Sequence, residues 1–188
     1  SAMNTTFSER YLWTSEPNIP KSVLNAMFKQ CKNTEFENST ILGDGSGLMS
    51  QIRTSKQAWL CCDTWISGIM YNIFMVANSN YFKYDLDHFE SDVQLTKYET
   101  NAHYGWHVDA LPVAPPQLPR KLSMSLLLND DFEGGELELA HAKEKPITVD
   151  MKAGSVCVFP SWLMHRVKPV TKGTRYSLVA WMNGPEFK

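Results

Sequence analysis

The chain has 188 residues, of which 43% are hydrophobic and 20% are charged, and its formal net charge is −2 at pH 7. This length and composition predict one domain, residues 1–188, with a sizeable core, and Ser1 and Ala2 before Met3 are interpreted as a tag-cleavage scar. The nearly neutral charge gives no basic surface, and no run approaches about 18 apolar residues, so nucleic-acid and membrane partners are not expected.

Helical patterns dominate the first third of the chain. Residues 22–32 carry apolar side chains at helical spacing after Pro20, and residues 41–50, with three glycines, predict a loop. Residues 59–77 predict the longest helix because six apolar side chains fall along one stripe: Trp65, Ile66, Ile69, Met70, Ile73 and Phe74. We expect this stripe to pack against the rest of the domain.

Short strand patterns fill the remainder of the chain. Apolar or alternating runs predict strands at residues 82–86, 93–98, 121–128, 136–139, 147–149, 155–159 and 175–181. Residues 111–120 contain four prolines, so they predict an extended loop rather than a central strand. Many short strands after a helical third predict an α+β protein with a β-sandwich or β-barrel core.

The four cysteines, Cys31, Cys61, Cys62 and Cys157, lack regular spacing and are not preceded by a recognisable secretory leader. Free thiols in a reducing compartment are therefore expected, which favours a cytoplasmic protein. Cys157 lies in the apolar run 156–159, where a small buried side chain is expected. None of the four is predicted to bind a metal.

The most informative motif is His107-Val108-Asp109, followed 56 residues later by His165. Two residues at positions i and i+2 of a strand point to the same side, so His107 and Asp109 can bind one ion. A histidine from a distant strand would complete a set of two imidazoles and one carboxylate. That set suits non-haem Fe(II), which must bind a co-substrate and O₂ at once. A short His and Asp pair alone can arise by chance, so the neighbouring residues decide.

Arg175, ten residues after His165, strengthens this interpretation. Its guanidinium is permanently charged and offers a planar fork that matches a carboxylate, so it suits a dicarboxylate such as 2-oxoglutarate. His165 follows an apolar run that ends at Pro160, and Arg175 opens the strand pattern of residues 175–181. The alternative for Arg175 is a surface charge at a strand edge.

From about residue 52 to residue 185 the chain resembles the Fe(II)- and 2-oxoglutarate-dependent dioxygenases of the prolyl hydroxylase group, in particular the oxygen-sensing type. The motifs that carry the resemblance occur in one order: Tyr98, residues 104–109 (YGWHVD), 120–129, 133–138 (EGGELE), 165–169 (HRVKP), 174–176 (TRY) and Trp181. The resemblance implies a double-stranded β-helix, or jelly roll, with the iron near one mouth and N-terminal supporting helices outside it.

The resemblance also implies a reaction, in which a prolyl residue of a peptide or protein is hydroxylated, O₂ is consumed, and succinate and CO₂ are released. Ascorbate would support this reaction. In this reading His107, Asp109 and His165 bind Fe(II), and Arg175 pairs with the far carboxylate of 2-oxoglutarate. Two further contacts to the co-substrate are expected from the hydroxyl groups of Tyr98 and Ser177; each could instead be a packed strand residue.

Substrate contacts are expected from Tyr104, Arg120 and Trp181, which match substrate-facing positions in similar prolyl hydroxylases. Each could instead be a core or rim residue, because buried tyrosine and tryptophan with one polar tip are common. The chain also departs from the oxygen-sensing group. Leu127 occupies the place of a tyrosine that binds the co-substrate there, and the interval from His165 to Arg175 is one residue longer.

Other functions remain open at the level of the sequence. The same fold could hydroxylate another peptidyl residue or a small molecule, or be a non-catalytic metal-binding cupin. A nucleic-acid demethylase of the AlkB type is disfavoured, because that family repeats an arginine six residues after the co-substrate arginine, where this chain has Trp181. A pure interaction domain fits worst. The substrate protein and the oligomeric state are not predicted.

Overall fold

The computed structural model describes residues 11–15, 19–32, 34, 37–38, 53–61 and 64–188. The predicted tag scar, the predicted loop at 41–50 and Cys62 lie outside these residues, as does the side chain of Cys61. The elements, in chain order, are β1 (Trp13–Ser15), α1 (Lys21–Lys32), β2 (Glu37–Asn38), β3 (Lys56–Cys61), α2 (Trp65–Ala77), β4 (His88–Phe89), β5 (Asp92–Tyr98), β6 (Tyr104–His107), β7 (Arg120–Leu127), β8 (Glu133–Gly134), β9 (Leu137–Ala140), β10 (Ile147–Thr148), β11 (Val156–Pro160), β12 (Met164–Val167), β13 (Val170–Lys172) and β14 (Arg175–Asn183).

The described chain is mostly β-sheet with two α-helices. An eight-stranded sheet has the order β1-β11-β7-β14-β5-β3-β2, with β4 also paired to β14. A four-stranded sheet has the order β10-β9-β12-β6, and β13 pairs with β8. The strand pairs are antiparallel, as expected for a β-sandwich or barrel whose strands are joined by short connections.

The two faces of the large sheet have different neighbours because side chains alternate along each strand. On one face, Leu178 and Ala180 of β14 share a hydrophobic cluster with Met27 of α1 and Phe74 of α2. On the other face, residues of β5 and β11 share a second cluster with Leu139 of β9, which belongs to the small sheet. The helices therefore cover the outside of the large sheet, and the second cluster lies between the two sheets.

The long predicted helix is wrong in its first third. Residues 56–61 form strand β3, in which Trp59 lies opposite Gln94 of β5. This strand ends at Cys61, and Thr64 caps α2, since its hydroxyl accepts a hydrogen bond from the backbone N–H of Ser67. From Trp65 onward the prediction is confirmed, although Trp65 itself is exposed rather than packed. Neither helix within the described ranges is long and apolar enough to span a bilayer.

The strand predicted at residues 82–86 is also wrong. A π-helical turn, Asn78–Phe82, continues α2, and Lys83 then adopts a left-handed conformation with φ of 57°. The side-chain amide of Asn78 donates to the carbonyl of Tyr84 at 3.1 Å and accepts from its N–H at 2.9 Å. Because this one side chain satisfies both backbone groups of Tyr84, the segment needs no neighbouring strand.

The other six predicted strands are confirmed to within two residues as β5, β7, β9, β10, β11 and β14. The expected burial of Cys157 is confirmed as well. Cys157 and Cys31 are buried free thiols, and burial raises the pKa of Cys31 to about 11 and that of Cys157 to about 12. Both side chains are therefore neutral packing residues at physiological pH.

Candidate metal centre and co-substrate pocket

A cavity of about 130 Å³ lies between the two sheets. Strands β3, β5, β7 and β14 of the large sheet contribute to its wall, and β6, β9 and β12 of the small sheet contribute the opposite side. All nine residues that the sequence motifs nominate for the site line this cavity: Tyr98, Tyr104, His107, Asp109, Arg120, His165, Arg175, Ser177 and Trp181.

The three predicted metal ligands come together at one end of the small sheet. His107 is the last residue of β6 and lies directly opposite His165 of β12. Oδ1 of Asp109 is 3.5 Å from Nε2 of His107 and 3.3 Å from Nε2 of His165. One donor atom from each residue therefore lies within 4.8 Å of the others, as a shared metal ion requires.

The expectation that His107 and Asp109 share a strand is wrong in one detail. Strand β6 ends at His107, and Asp109 follows it in the connection to β7. The backbone N–H groups of Asp109 and Ala110 both donate to the carbonyl of Ser161 at 2.9 Å. These two hydrogen bonds fix the connection, so a loop residue joins two strand residues in the candidate site.

Both imidazole rings are oriented by backbone carbonyl groups. Nδ1 of His107 is 2.7 Å from the oxygen of Gly105, and Nδ1 of His165 is 2.9 Å from the oxygen of Leu163. A proton on each Nδ1 satisfies these contacts, and each Nε2, which faces Asp109, is then the nitrogen that can bind a metal once it is deprotonated. This arrangement is typical of histidines that bind a metal.

The carboxylate of Asp109 is oriented in the same manner. Its Oδ2 accepts hydrogen bonds from the hydroxyl of Ser123 at 2.7 Å and from the indole N–H of Trp181 at 3.0 Å. Oδ1 alone then faces the two histidines. Two nitrogen donors and one carboxylate oxygen are a donor set that fits Fe(II).

The charges of the three ligands are coupled. Burial acts to raise the pKa of Asp109, but the charge of His165 and hydrogen bonds from both histidines outweigh it and hold the pKa well below its usual range. Burial lowers the pKa of His107. For His165, burial acts in the same direction, but the Asp109 carboxylate outweighs it and raises the pKa. Asp109 is therefore ionised at neutral pH and supplies the negative charge that a divalent cation needs.

Arg175, the predicted co-substrate anchor, begins β14 and is 2% exposed. Its Nη1 donates to the hydroxyl of Ser177 at 3.1 Å, and its guanidinium carbon is 5.5 Å from the ring centre of Tyr98 on β5. None of the ion pairs within the described part of the chain includes Arg175. Burial accordingly lowers its pKa. A buried guanidinium without a carboxylate is costly, so this group is suited to an anionic ligand.

The sequence did not nominate Thr96 or Gln94, which line the same cavity from β5. Thr96 lies opposite Ser177 and is almost fully buried, while on the other side Ser177 lies opposite Leu127. Polar residues at alternate positions of the predicted strand 93–98, ending at Tyr98, were the available signal. Leu127 brings no hydroxyl, so the polar groups beside Arg175 come from Ser177 and β5.

Tyr104 contacts a predicted metal ligand directly. Its ring stacks on the imidazole of His107, with centroids 3.5 Å apart and an angle of 23° between the planes. The guanidinium of Arg53 lies 4.6 Å from the centre of the same Tyr104 ring. Arg53 also lines the cavity and was not nominated by the sequence.

Trp181 and Arg120 form a second aromatic and arginine pair at the cavity. The guanidinium of Arg120 lies 3.7 Å from the centre of the Trp181 ring and makes two hydrogen bonds to Glu90, at 2.7 and 2.9 Å. The positive charge of Arg120 is therefore already paired with Glu90. Trp59 of β3, 44% exposed, lies 6.4 Å from Trp181 and also lines the cavity.

Comparison with known proteins agrees with this geometry. Residues 93–183 match the sequence profile of the 2OG-Fe(II) oxygenase superfamily. The chain is 39% identical over 99 residues to a PKHD-type hydroxylase of Xylella fastidiosa strain M23, a match that covers 47% of this chain and 43% of that protein. The chain thus spans less than half the length of this curated relative.

Two solved structures have the same fold as this chain. A prolyl-4-hydroxylase of Pseudomonas putida superposes with a TM-score of 0.75 over 96% of both chains, at 20% sequence identity. A prolyl hydroxylase from Trichoplax adhaerens, in complex with a peptide fragment of the hypoxia inducible factor oxygen degradation domain, superposes with a TM-score of 0.75 at 19% identity. That match covers 95% of this chain and 86% of the Trichoplax chain.

Proposed function

We propose that this protein is an Fe(II)- and 2-oxoglutarate-dependent dioxygenase that hydroxylates a prolyl residue in a peptide or protein. The observation that carries the proposal is one cavity that contains both the donor set of His107, Asp109 and His165 and the guanidinium of Arg175, which forms no ion pair with a carboxylate of the described residues. The superfamily match over residues 93–183 and the PKHD-type hydroxylase relative support it.

The proposal assigns each side chain a role. His107 and His165 would hold Fe(II) through Nε2, and Asp109 through Oδ1, because the other polar atom of each is already hydrogen-bonded. Arg175 would bind the far carboxylate of 2-oxoglutarate, with the hydroxyl groups of Ser177 and Tyr98 beside it. When bound, Fe(II) and 2-oxoglutarate supply the oxidation of an unactivated C–H bond by O₂, with succinate and CO₂ released and ascorbate as a supporting reductant.

The chain itself supplies orientation and shielding from water. Apolar side chains from both sheets line the cavity beside the polar groups: Met124, Leu137, Phe159, Val167 and Val179. A wall of this kind keeps solvent away from a reactive centre and strengthens the charge interactions inside it. The bound substrate would be held so that only the target carbon reaches the centre.

A peptide substrate agrees with the net charge and with the aromatic residues that line the cavity. The net charge of −2 does not favour binding of nucleic acid. Tyr104, Arg120 and Trp181 would contact the target proline, and the exposed ring of Trp59 extends this aromatic surface outward. Prolyl hydroxylases are among the structures with this fold, and one of them was solved with a peptide.

The proposal includes a specific architecture. The antiparallel eight- and four-stranded sheets would form a double-stranded β-helix, with α1 and α2 as its outer support. The likeness to the Pseudomonas prolyl-4-hydroxylase supports this assignment. A single domain over residues 1–188 and a cytoplasmic location stay predictions.

The test is incubation of the protein with Fe(II), 2-oxoglutarate, ascorbate and a library of proline-containing peptides. We expect peptide products heavier by one oxygen atom, with succinate formed in equal amount, and no product from His165→Ala. Hydroxylation of another residue or of a small molecule would replace the substrate part of the proposal. Absence of any 2-oxoglutarate turnover by metal-loaded wild-type protein would favour a non-catalytic metal-binding cupin.

A further inference from the structure

Trp181 makes a contact that a role in substrate binding does not require. Its indole N–H donates to Oδ2 of Asp109 at 3.0 Å, on the opposite oxygen from the one that faces the two histidines. We propose that Trp181 is a positioning residue that holds Asp109 as a one-oxygen metal ligand. This inference rests on the proposed metal site.

The choice between the two carboxylate oxygens depends on hydrogen bonds to Oδ2. A carboxylate can bind a metal through one oxygen or both, and binding through both would occupy a coordination position that the co-substrate or O₂ needs. Two donors, the hydroxyl of Ser123 and the indole of Trp181, engage Oδ2 and leave Oδ1 as the ligand atom.

The two donors differ in how firmly they are directed. The hydroxyl of Ser123 rotates and is also 2.9 Å from the hydroxyl of Ser161, so it has another partner. The indole N–H has one direction, fixed by the ring plane, and it can only donate. Trp181 is therefore the donor that keeps Oδ2 in place when the serine hydroxyl turns.

Trp181 is itself held in place by Arg120 and Glu90. The guanidinium of Arg120 lies 3.7 Å from the ring centre, and Glu90 holds that guanidinium through two hydrogen bonds. The backbone N–H of Glu90 donates to the carbonyl of Trp181 at 2.9 Å, which closes a ring of contacts. Trp181 is 4% exposed, so it has little room to move. Glu90, Arg120 and Trp181 thus form one support for Asp109.

The test uses Co(II) alone as the probe, with its affinity measured by titration and its coordination by the visible absorption spectrum. Trp181→Phe keeps a ring beneath Arg120 but removes the N–H. We expect Co(II) to bind about 10- to 100-fold more weakly, as for other partners of metal ligands, with a changed spectrum. The unfolding temperature of the metal-free protein should stay close to that of the wild type.

Trp65→Phe is the matched control, because Trp65 loses an indole hydrogen bond of the same kind, to Gln30 at 2.6 Å, and does not line the cavity. It should bind Co(II) as the wild type does. Wild-type affinity and spectrum in Trp181→Phe would overturn the inference. If wild-type protein does not bind Co(II), or His165→Ala binds it equally well, the proposed metal site fails instead.

If Trp181→Phe unfolds, Glu90→Gln tests whether the support of Trp181 affects metal binding. This substitution weakens the anchor of Arg120 without touching the core, since Glu90 is partly exposed. A smaller loss of Co(II) affinity with a spectral change in the same direction supports the inference. Wild-type affinity and spectrum in folded Glu90→Gln overturns it.

Discussion

Arg175 is the residue whose surroundings most clearly indicate a bound ligand. It is buried, its described neighbours include hydroxyl groups and an aromatic ring, and none of its described contacts is an ion pair with a carboxylate. Such a charge lowers the stability of the fold, because no carboxylate of the described residues compensates the desolvated cation. A bound carboxylate would supply the compensation.

Arg175→Ala should weaken 2-oxoglutarate binding by about 2 kcal/mol or more, roughly thirtyfold, because a two-point charged contact is lost. Arg175→Lys should restore only part of this, since an ammonium group cannot reproduce the planar fork. The apparent Michaelis constant for 2-oxoglutarate and direct binding to the Co(II)-loaded protein measure the effect. Metal binding should persist in both variants, and an unchanged constant in Arg175→Ala would refute the role.

The metal ligands can be tested against a second histidine and aspartate pair on the same chain. His107→Ala, Asp109→Ala and His165→Ala should each abolish Fe(II) binding or turnover while the protein stays folded. His88→Ala is the control, because exposed His88 also contacts a carboxylate, that of Asp87 at 2.7 Å, and neither residue lines the cavity. It should keep full activity. Normal 2-oxoglutarate decarboxylation in any two of the three variants would exclude the triad.

At the scale of elements, the longest strands are the ones that the sequence identifies most directly. β5, β7 and β14 have seven to nine residues, and their apolar and alternating runs show a clear pattern. The sequence did not predict β4 and β8, which have two residues each. A run of two residues has no measurable period, and the short strands β9 and β10 were predicted only from apolar or alternating runs of three or four residues.

β3 shows the opposite problem, because its pattern is present but ambiguous. The apolar residues of 58–60 precede the helical stripe without an intervening glycine or proline, and helix spacing can be traced through both. Thr64, whose side chain caps α2, was the local signal that separates them. The strand forms because its backbone pairs with β5, a tertiary interaction that outweighs local preference.

The sequence named nine of the residues that line the cavity, and their functional roles stay predictions. The predicted ligand residues stand in recognisable motifs, whereas Trp59, Arg53 and Thr96 enter the cavity only because β3, its preceding segment and β5 run beside β14 and β6. The contact of Trp181 with Asp109 joins residues 72 positions apart. No local pattern encodes such a contact, so the sequence could assign Trp181 to the mouth but not to the support of a metal ligand.

α2 supports the outer face of the large sheet and should matter for stability rather than for chemistry. Phe74→Ala removes a fully buried ring from the hydrophobic cluster between the helices and the large sheet, and it should lower the free energy of unfolding by about 3 to 5 kcal/mol. Val76→Ala on the same helix is the control, since Val76 is 42% exposed and should change stability by about 0.5 kcal/mol or less. Chemical denaturation measures both. A loss of metal affinity in still-folded Phe74→Ala would show that the helix and the site are coupled.

At the scale of the whole molecule, packing and chemistry use different sides of the large sheet. The hydrophobic cluster that contains Phe74 joins both helices to that sheet. The site occupies the space between the sheets, beside the cluster that contains Leu139. The histidines stand on strands of the small sheet, and Arg175 stands on the large one. A metal and a co-substrate bound together would therefore connect the two sheets through ligand contacts.

This arrangement predicts that ligands stabilise the whole fold in two separable steps. A ligand at about 100 times its dissociation constant adds about 2.7 kcal/mol to the free energy of unfolding. For a chain of this size that corresponds to a rise of roughly 5 to 10 °C in the unfolding temperature. Co(II) should give one rise, and 2-oxoglutarate added to the Co(II)-loaded protein should give a second. Thermal unfolding of Arg175→Ala separates them, because this variant should keep the first rise and lose most of the second. A second rise of full size in Arg175→Ala would mean that the co-substrate does not reach the large sheet through Arg175.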